Sequence, residues 1–427
     1  MRNPPLIVHL IPTLDGGGTE RTLLALLHRW EPARLRHAVV TLRAAGAAAA
    51  QLPPEVACRA LGLTGRCRRA GLRLGRVVRD LEAVVVHARN TGCWFDALVA
   101  GLRCRRTQIV LGFHGFDAGV AFTGRQRRLA RWGVRLGALF TTVSQRGRRQ
   151  LHAEAGVPLE RIEVLANGVD LRRFPATTDG TREQARRNLG LPTDGLLVGT
   201  VGSLTPVKGV DLLLTALART CAVHRNLYLV LIGEGPQRAA LLARAGRLGI
   251  RDQVIFAGAR ADVPAWLGAL DIYACASRSE GASNALLEAL AAGCPIVTTD
   301  VGDHADIVRT PCAGLVVPPE APTALSDALI ELARRPQRRA ELGAAARRRA
   351  QAYDFAVTAR DYERFYERLT IGADPEAVGA PMGEPDRRRA GCEQRVQQTT
   401  AGECPVEHEW SSRGCQERPL ASARVPS

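Results

Sequence analysis

The sequence predicts an α/β protein whose sheets are parallel, with enough chain for two domains of ordinary size. Short apolar runs alternate with helical segments along most of its length, and strands separated by helices pair in parallel. The chain has 427 residues, and one domain takes roughly 100–200. In each half, one apolar run ends in a glycine-bearing loop that opens onto a helix, an arrangement that faces anions.

In the first half, Leu6–Ile11 reads as a strand, residues 12–18 (Pro-Thr-Leu-Asp-Gly-Gly-Gly) as a loop, and Thr19 as the cap of a helix reaching about Trp30. Residues 37–42 and 83–87 read as strands, with a basic helix over 72–81 between them. Residues 108–113 form a strand ending at His114, at the edge where parallel sheets receive ligands. The plainer reading is a histidine satisfied by a loop carbonyl. His87, Asn90 and Asp117 end segments on the same side. Residues 124–137 read as an amphipathic helix carrying Arg125, Arg127, Arg128, Arg131 and Arg135, with Trp132 among them. Arg68, Arg69, Arg73, Arg76 and Arg79 form an earlier cluster. Such a helix suits an anionic lipid surface and, equally, a solvated face. Residues 139–143 form a strand, Ser144 caps the next helix, and Asn167-Gly168 marks a turn. From about Phe174 to Gly195 the Pro, Thr, Asp and Gly content reads as an interdomain linker.

The second half alternates with greater regularity. Strands are expected over 196–201, 228–232, 254–256, 269–276, 295–299 and 314–317, and helices over 210–222, 236–248, 322–335, 337–350 and 353–369. Between the strands ending at Ala276 and starting at Pro295 lies a short helix with clear ends. Ser283 caps its start, Gly293 closes it and Pro295 forbids continuation. Gly281 and Ala282 keep side chains small ahead of it, so a ligand can approach the free amides of its first turn. Glu280 precedes the helix and Glu288 lies just over one turn into it. Carboxylates accept from sugar hydroxyls and amides donate to phosphate, so the pair suits a nucleotide sugar. A capped surface helix with two solvated glutamates reads the same residues as well.

Composition bounds the alternatives. Hydrophobic residues make up 46%, and no run approaches the roughly 20 apolar residues that span a bilayer. Leu6–Leu10 is too short for a signal peptide, so a cytoplasmic protein is expected. The 11 cysteines show no metal-ligand spacing, and most fall in predicted core segments. Of the net charge of +16, residues 1–185 carry +15, from 29 arginines against 14 carboxylates. That suggests an anionic partner for this half, or simply free use of solvated arginine. Among 58 basic residues there is one lysine, Lys208, in the loop Gly-Ser-Leu-Thr-Pro-Val-Lys-Gly. A compact ammonium acts there as a point charge that arginine does not reproduce.

Glu280 and Glu288, in Ser-Arg-Ser-Glu-Gly-Ala-Ser-Asn-Ala-Leu-Leu-Glu, resemble the E-x7-E element of the family-4 retaining glycosyltransferases. The likeness covers about residues 5–370 in motif order, including Gly-Gly-Gly-Thr-Glu-Arg near the start, His114, and Asn-Gly-Val-Asp ending at Asp170. It implies the GT-B fold: two Rossmann-like parallel-sheet domains facing across a cleft, with a C-terminal helix crossing back. The domains it implies are an acceptor domain over 1–175, a linker over 176–195, a nucleotide-sugar domain over 196–352 and a crossover helix over 353–370. The likeness stops there, and 371–427 is expected to be a disordered tail.

The resemblance also assigns roles. His114 would face the reacting sugar, Glu280 would orient it and Lys208 would hold the leaving diphosphate. The donor set would add Gly17, Gly18, Ser203, Arg260, Val263, Gly281, Ala282, Ser283, Asn284 and Glu288, the last on the ribose. Most relatives carry arginine where Ser203 stands, so Arg260 or Arg278 must substitute or donor binding is weaker. The implied reaction moves a hexosyl unit, with retention, from a nucleotide-diphosphate sugar to a glycan or lipid-linked acceptor of the cell envelope. UDP is the expected nucleotide. With no Asp-x-Asp pair in the sequence, no metal or other cofactor is expected. A peripheral position at the anionic inner face of the plasma membrane is implied.

Three rivals stand beside this. A sugar-nucleotide epimerase of similar architecture would act on donor alone. A basic nucleic-acid- or membrane-binding protein would need no chemistry, but aromatics are only 4% and no nucleic-acid motif is present. A catalytically silent scaffold would fit Ser203. No nucleic-acid partner is expected.

Overall fold

The apolar runs become strands buried on both faces. The computed structural model describes residues 3–15, 17–64, 69–115, 121–309 and 312–371. The expectations for Arg68, Asp117 and the tail beyond Ile371 lie outside the described residues. Seven strands form the first sheet: β1 (Leu6–Ile11), β2 (Arg36–Thr41), β3 (Ala57–Ala60), β4 (Val85–Ala88), β5 (Gln108–Phe113), β6 (Leu139–Thr142) and β7 (Ile162–Val164). Six form the second: β8 (Leu196–Val201), β9 (Leu227–Ile232), β10 (Val254–Gly258), β11 (Ile272–Cys275), β12 (Ile296–Thr299) and β13 (Gly314–Val317). Their orders are β3-β2-β1-β4-β5-β6-β7 and β10-β9-β8-β11-β12-β13, and every pairing is parallel.

Alternation along each strand feeds two cores per sheet. Leu6, Val8 and Leu10 point to a core with Leu74, Trp94 and Leu98. Ile7 and Ile11 point the other way, to Leu23, Leu26, Trp30 and the last helix. In the second sheet Val198 packs with Leu213, Leu217 and Leu329, and Leu197 packs with Trp266, Leu286 and Leu290. The last helix, Phe355–Ile371, leaves the helices of the second sheet and returns to the first. Its Tyr362, Phe365 and Tyr366 are buried there, and the Trp30 indole donates to the Ala359 carbonyl at 3.3 Å. This is the GT-B arrangement that the sequence predicts.

Strand order fixes where a ligand can sit. The order in which the chain adds strands reverses between β1 and β4 in one sheet and between β8 and β11 in the other. Ligands bind outside the carboxyl ends of strands at such points. The glycine loop, Arg89, His114, the Lys208 loop and residues 277–281 all follow those ends.

Some local expectations are corrected. The first helix runs Gly18–Leu27 with Gly17 as N-cap in an extended conformation, so Thr19 is inside the helix rather than at its cap. Its end falls at Leu27, not Trp30, with His28 as C-cap. The stretch read as linker contains a helix, Asp179–Leu189, with a Thr178/Thr181 capping box. Its Arg186 is buried, donating to the Ala269 and Gly195 carbonyls and to Asp271. A polar helix anchored by one buried arginine leaves no apolar stripe to read. Trp132 does not join the exposed face of its basic helix; it turns inward towards Phe95, with ring centres 6.2 Å apart. The five arginines of that helix are exposed, as are Arg69, Arg73, Arg76 and Arg79. Among the described residues no helix is long and apolar enough to cross a membrane.

Candidate active site

Backbone close approach builds the site first. Gly209 has φ +61°, and a Cβ there would lie 2.0 Å from the Ala276 carbonyl oxygen. Only glycine lets the Lys208 loop lie against the end of β11. The Arg278 amide donates to the Val207 carbonyl at 2.8 Å and locks the two loops together. Across the cleft, a Cβ on Gly281 would fall 2.0 Å from the His114 carbonyl oxygen. The small residues ahead of the Ser283 cap therefore serve domain contact as well as ligand access.

Lys208 Nζ donates to Glu280 Oε1 at 2.5 Å, and Ser277 Oγ donates to the same oxygen at 2.8 Å. Ser277 is fixed in turn by Thr299, whose hydroxyl donates to its carbonyl at 2.6 Å. A cleft of about 700 Å³ is lined by His114, Ser203, Lys208, Glu280, Gly281 and Ala282, among others. A smaller recess behind it adds Tyr273 and Ser283 to Ser203, Lys208 and Glu280. The helix Asn284–Ala292 starts at this recess, with the Ser283 hydroxyl accepting from the Leu286 amide at 3.4 Å.

Glu288 lies one turn along, half-buried, and burial raises its pKa above the ordinary carboxylate value. Arg21 and Arg173, from the first sheet's side of the cleft, draw it back down. Buried Tyr273 lies within electrostatic reach of both Glu280 and Glu288. The first helix meets this helix start to start, a Cβ on Gly18 falling 3.7 Å from Asn284 Nδ2. Asn167 reaches over from the first domain, its amide donating to Asn284 Oδ1 at 2.9 Å.

His114 is half-buried and its pKa is pushed down to about 4, by burial first and then by the nearby Arg89 cation. At neutral pH it is an uncharged imidazole. Arg89 itself is 1% exposed. Its guanidinium lies 5.0 Å over the Tyr362 ring and 3.4 Å from His87 Nδ1, with Nε and Nη2 buried and unpartnered among the described residues.

Several expected residues do not join the cleft. His87 is buried below it, hydrogen-bonded to Tyr366 at 2.7 Å and Thr141 at 3.0 Å, because it points from β4 towards the last helix. Arg260 and Val263 do not line the cleft. Arg260 pairs with Asp262 at 2.9 and 3.0 Å and lies over Trp266. Arg278 lines the cleft, but it is held by Asp211 at 2.8 and 2.9 Å, Glu320 at 2.6 Å and the Pro206 carbonyl at 2.6 Å. Both arginines are thus engaged by carboxylates in this structure.

Arg89, Tyr273, Arg21, Arg173 and Asp303 lie in or near the site without being expected there. Asp303 accepts from the Gln145 and Arg146 amides at 3.1 and 3.2 Å across the domains. Local pattern carries no sign of such long-range partners. Asn167 was legible only as a turn residue.

Two family profiles match the chain: Glycosyltransferase Family 4 over residues 16–173 and Glycosyl transferases group 1 over residues 181–349. A D-inositol 3-phosphate glycosyltransferase of Jonesia denitrificans is 34% identical over 234 residues, covering 52% of this chain and 55% of that protein. A GDP-mannose-dependent monoacylated alpha-(1-6)-phosphatidylinositol monomannoside mannosyltransferase of Corynebacterium glutamicum is 30% identical over 276 residues, covering 61% of this chain and 71% of that protein. The chain spans about half the length of the inositol-phosphate glycosyltransferases it matches. Among solved structures, Anabaena Alr3699/HepE in complex with UDP and glucose superposes with a TM-score of 0.74 at 21% identity, over 85% of this chain and all of that one. That likeness bears on the fold.

Proposed function

Since this chain belongs to glycosyltransferase family 4, we propose that it transfers a hexosyl unit from a nucleotide-diphosphate sugar to a glycan or lipid-linked acceptor. The observation that carries the reading is the meeting of Lys208, Glu280, the Ser283-capped helix start and His114 around one cleft. As the glycosidic bond breaks, negative charge grows on the leaving diphosphate, so fixed positive groups there lower the barrier. Lys208 and the first-turn amides near Asn284 take that role. Lys208 is paired with Glu280 in this structure, so donor binding exchanges that carboxylate for phosphate on the ammonium. Glu280, released but still held by Ser277, then accepts from hydroxyls of the sugar. Glu288 accepts from the ribose. Neutral His114 can share a hydrogen bond with the sugar or the acceptor without adding charge.

Family membership implies retention, with a donor phosphate oxygen helping to take the acceptor proton. The set assigned to the donor is carboxylates, one ammonium and backbone amides, with no Asp-x-Asp pair, and this favours transfer without a metal. UDP is the nucleotide we expect, and a cell-envelope glycan, glycolipid or polysaccharide the acceptor. Exposed arginines on the helix Gly124–Arg135 favour peripheral contact with anionic lipid. A thermal-shift screen over UDP-, GDP- and ADP-sugars, followed by nucleoside diphosphate release with and without acceptor, tests the reading. Stabilisation by one donor class with acceptor-dependent release is expected. Conversion of donor alone to a second sugar nucleotide would make the protein an epimerase, and RNA binding without donor binding would remove the enzyme reading.

A further inference from the structure

Beside the reaction centre lies a second cavity of about 490 Å³, sharing Gly115, Arg278, Ser279, Glu280 and Gly281 with the first. Its other wall is the helix Gln145–Ala155, which contributes Arg146, Arg149 and Gln150. Arg146 and Arg149 are three apart, so they stand on one helix face. Both are exposed, and among the described residues neither guanidinium makes a hydrogen bond or ion pair. Arg148, in the same turn, is committed elsewhere and donates to the Leu159 carbonyl at 3.2 Å.

The acidic groups around this cavity are all engaged. Glu154 accepts from the Phe122 amide at 3.2 Å, Asp303 from the Gln145 and Arg146 amides, and Glu280 from Lys208 and Ser277. Arg278 is spent on Asp211 and Glu320. What faces the open space is therefore two guanidiniums on the first turns of a helix, with no hydrogen bond or ion pair among the described residues and with Arg149 within electrostatic reach of Asp303. Cations there oppose the helix dipole, so an anion that pairs with them relieves the opposition. A paired guanidinium fork matches the oxygens of phosphate.

We propose that this cavity is an acceptor subsite for a phosphate group, gripped by Arg146 and Arg149, so that the acceptor is a phosphorylated sugar or a phospholipid-linked glycan. The proposal rests on the transferase reading, since it places the phosphate-bearing molecule beside the sugar that Glu280 holds. The full chain would be titrated by calorimetry with glucose 6-phosphate and with glucose. Vesicles of phosphatidylglycerol and of phosphatidylcholine would be compared in the same way. Wild type and the double variant Arg146→Gln/Arg149→Gln would be measured side by side, with melting temperature and donor-induced thermal shift confirming that the variant is folded.

Glucose 6-phosphate or phosphatidylglycerol is expected to bind where its neutral counterpart does not, with affinity at least tenfold lower in the double variant. Whichever probe does so tells whether the phosphate is carried by a soluble or a lipid acceptor. In turnover, the same variant should raise KM for the phosphorylated acceptor at least tenfold. Glucose 6-phosphate binding that the double variant retains, or the absence of a tenfold loss with either phosphate probe, overturns the proposal; residual vesicle binding in the variant is that of the exposed arginines on the helix Gly124–Arg135. Arginine-dependent binding without nucleoside diphosphate release from any donor keeps the anion site and strikes the transferase reading instead.

Discussion

Two cations of unequal exposure lie at and beneath the cleft. Lys208, with its side chain 27% exposed, meets Glu280 at 2.5 Å and nothing else in the loop can replace its charge. Lys208→Ala should lower kcat/KM for transfer at least 100-fold, as loss of one fixed donor to developing charge does elsewhere. The melting temperature should barely move, and Lys208→Arg should not restore the rate, because the fork of a guanidinium does not occupy the ammonium's place. Steady-state transfer assays beside thermal scans check both. Arg89 is the buried counterpart, with no carboxylate partner among the described residues; burial first, and then its charge, pushes down His9, His37, His87 and His114. Arg89→Met removes that push, so the acid limb of the kcat/KM profile, which His114 near 4 would set, should move to higher pH. Arg89→Met also removes the 3.4 Å hydrogen bond to His87 and the contact over Tyr362, so the melting temperature is followed beside the profile. A profile that stays in place while stability falls would make Arg89 structural only.

The helix Gln145–Ala155 is held at its start by two acceptors from opposite domains. Its own Ser144 accepts from the Gly147 amide at 2.9 Å, and Asp303 takes the Gln145 and Arg146 amides. Asp303→Ala leaves the second pair unmet, and a lost cap costs about 1 kcal/mol. The expected result is a lower melting temperature, with faster hydrogen exchange at the Gln145 and Arg146 amides than at Gly147. Uniform acceleration at all three would mean that Ser144 cannot hold the helix alone. Elements such as this were legible, because Ser144 and the apolar strand before it are local signals. The helix Trp94–Arg103 and the edge strand Ala57–Ala60 were not anticipated. The first follows its strand after only a short 3-10 turn, and the second is four residues of which only Cys58 is half-buried. Likewise the helix Asp179–Leu189 hides in a polar segment because one arginine, not a stripe, anchors it.

At the scale of the whole molecule, the sequence announced both sheets and the returning helix, since buried strands and long amphipathic helices dominate local pattern. It did not announce what the returning helix covers. His9 and His37 are hydrogen-bonded at 3.1 Å under Trp30 and Tyr366, and His87 is bonded to Tyr366. His9 Nδ1 and His37 Nε2 are buried without partners among the described residues. Burial pushes His37 down to about 3 and His114 and His304 to about 4, and lowers His9 and His87 as well. In the unfolded chain each takes up a proton near 6.5. Between those values the unfolded state binds more protons, so stability is fully present above about pH 6.5 and is lost as pH falls. Asp170, pulled down to about 2 by Arg172 and Arg29, adds loss in the same direction only at much lower pH. Glu288 and Asp303, raised by burial, act oppositely near the ordinary carboxylate range. The histidines therefore own the window from about 6.5 to 5. Urea unfolding should show a constant midpoint from pH 8 to 7 and a falling one below 6.5. His37→Phe should flatten that fall, because the phenyl ring can stack on Trp30 as the imidazole does at 4.3 Å and has no proton to bind. A midpoint unchanged down to pH 5 would mean that these imidazoles are already protonated in the fold, or that water reaches them beneath the last helix.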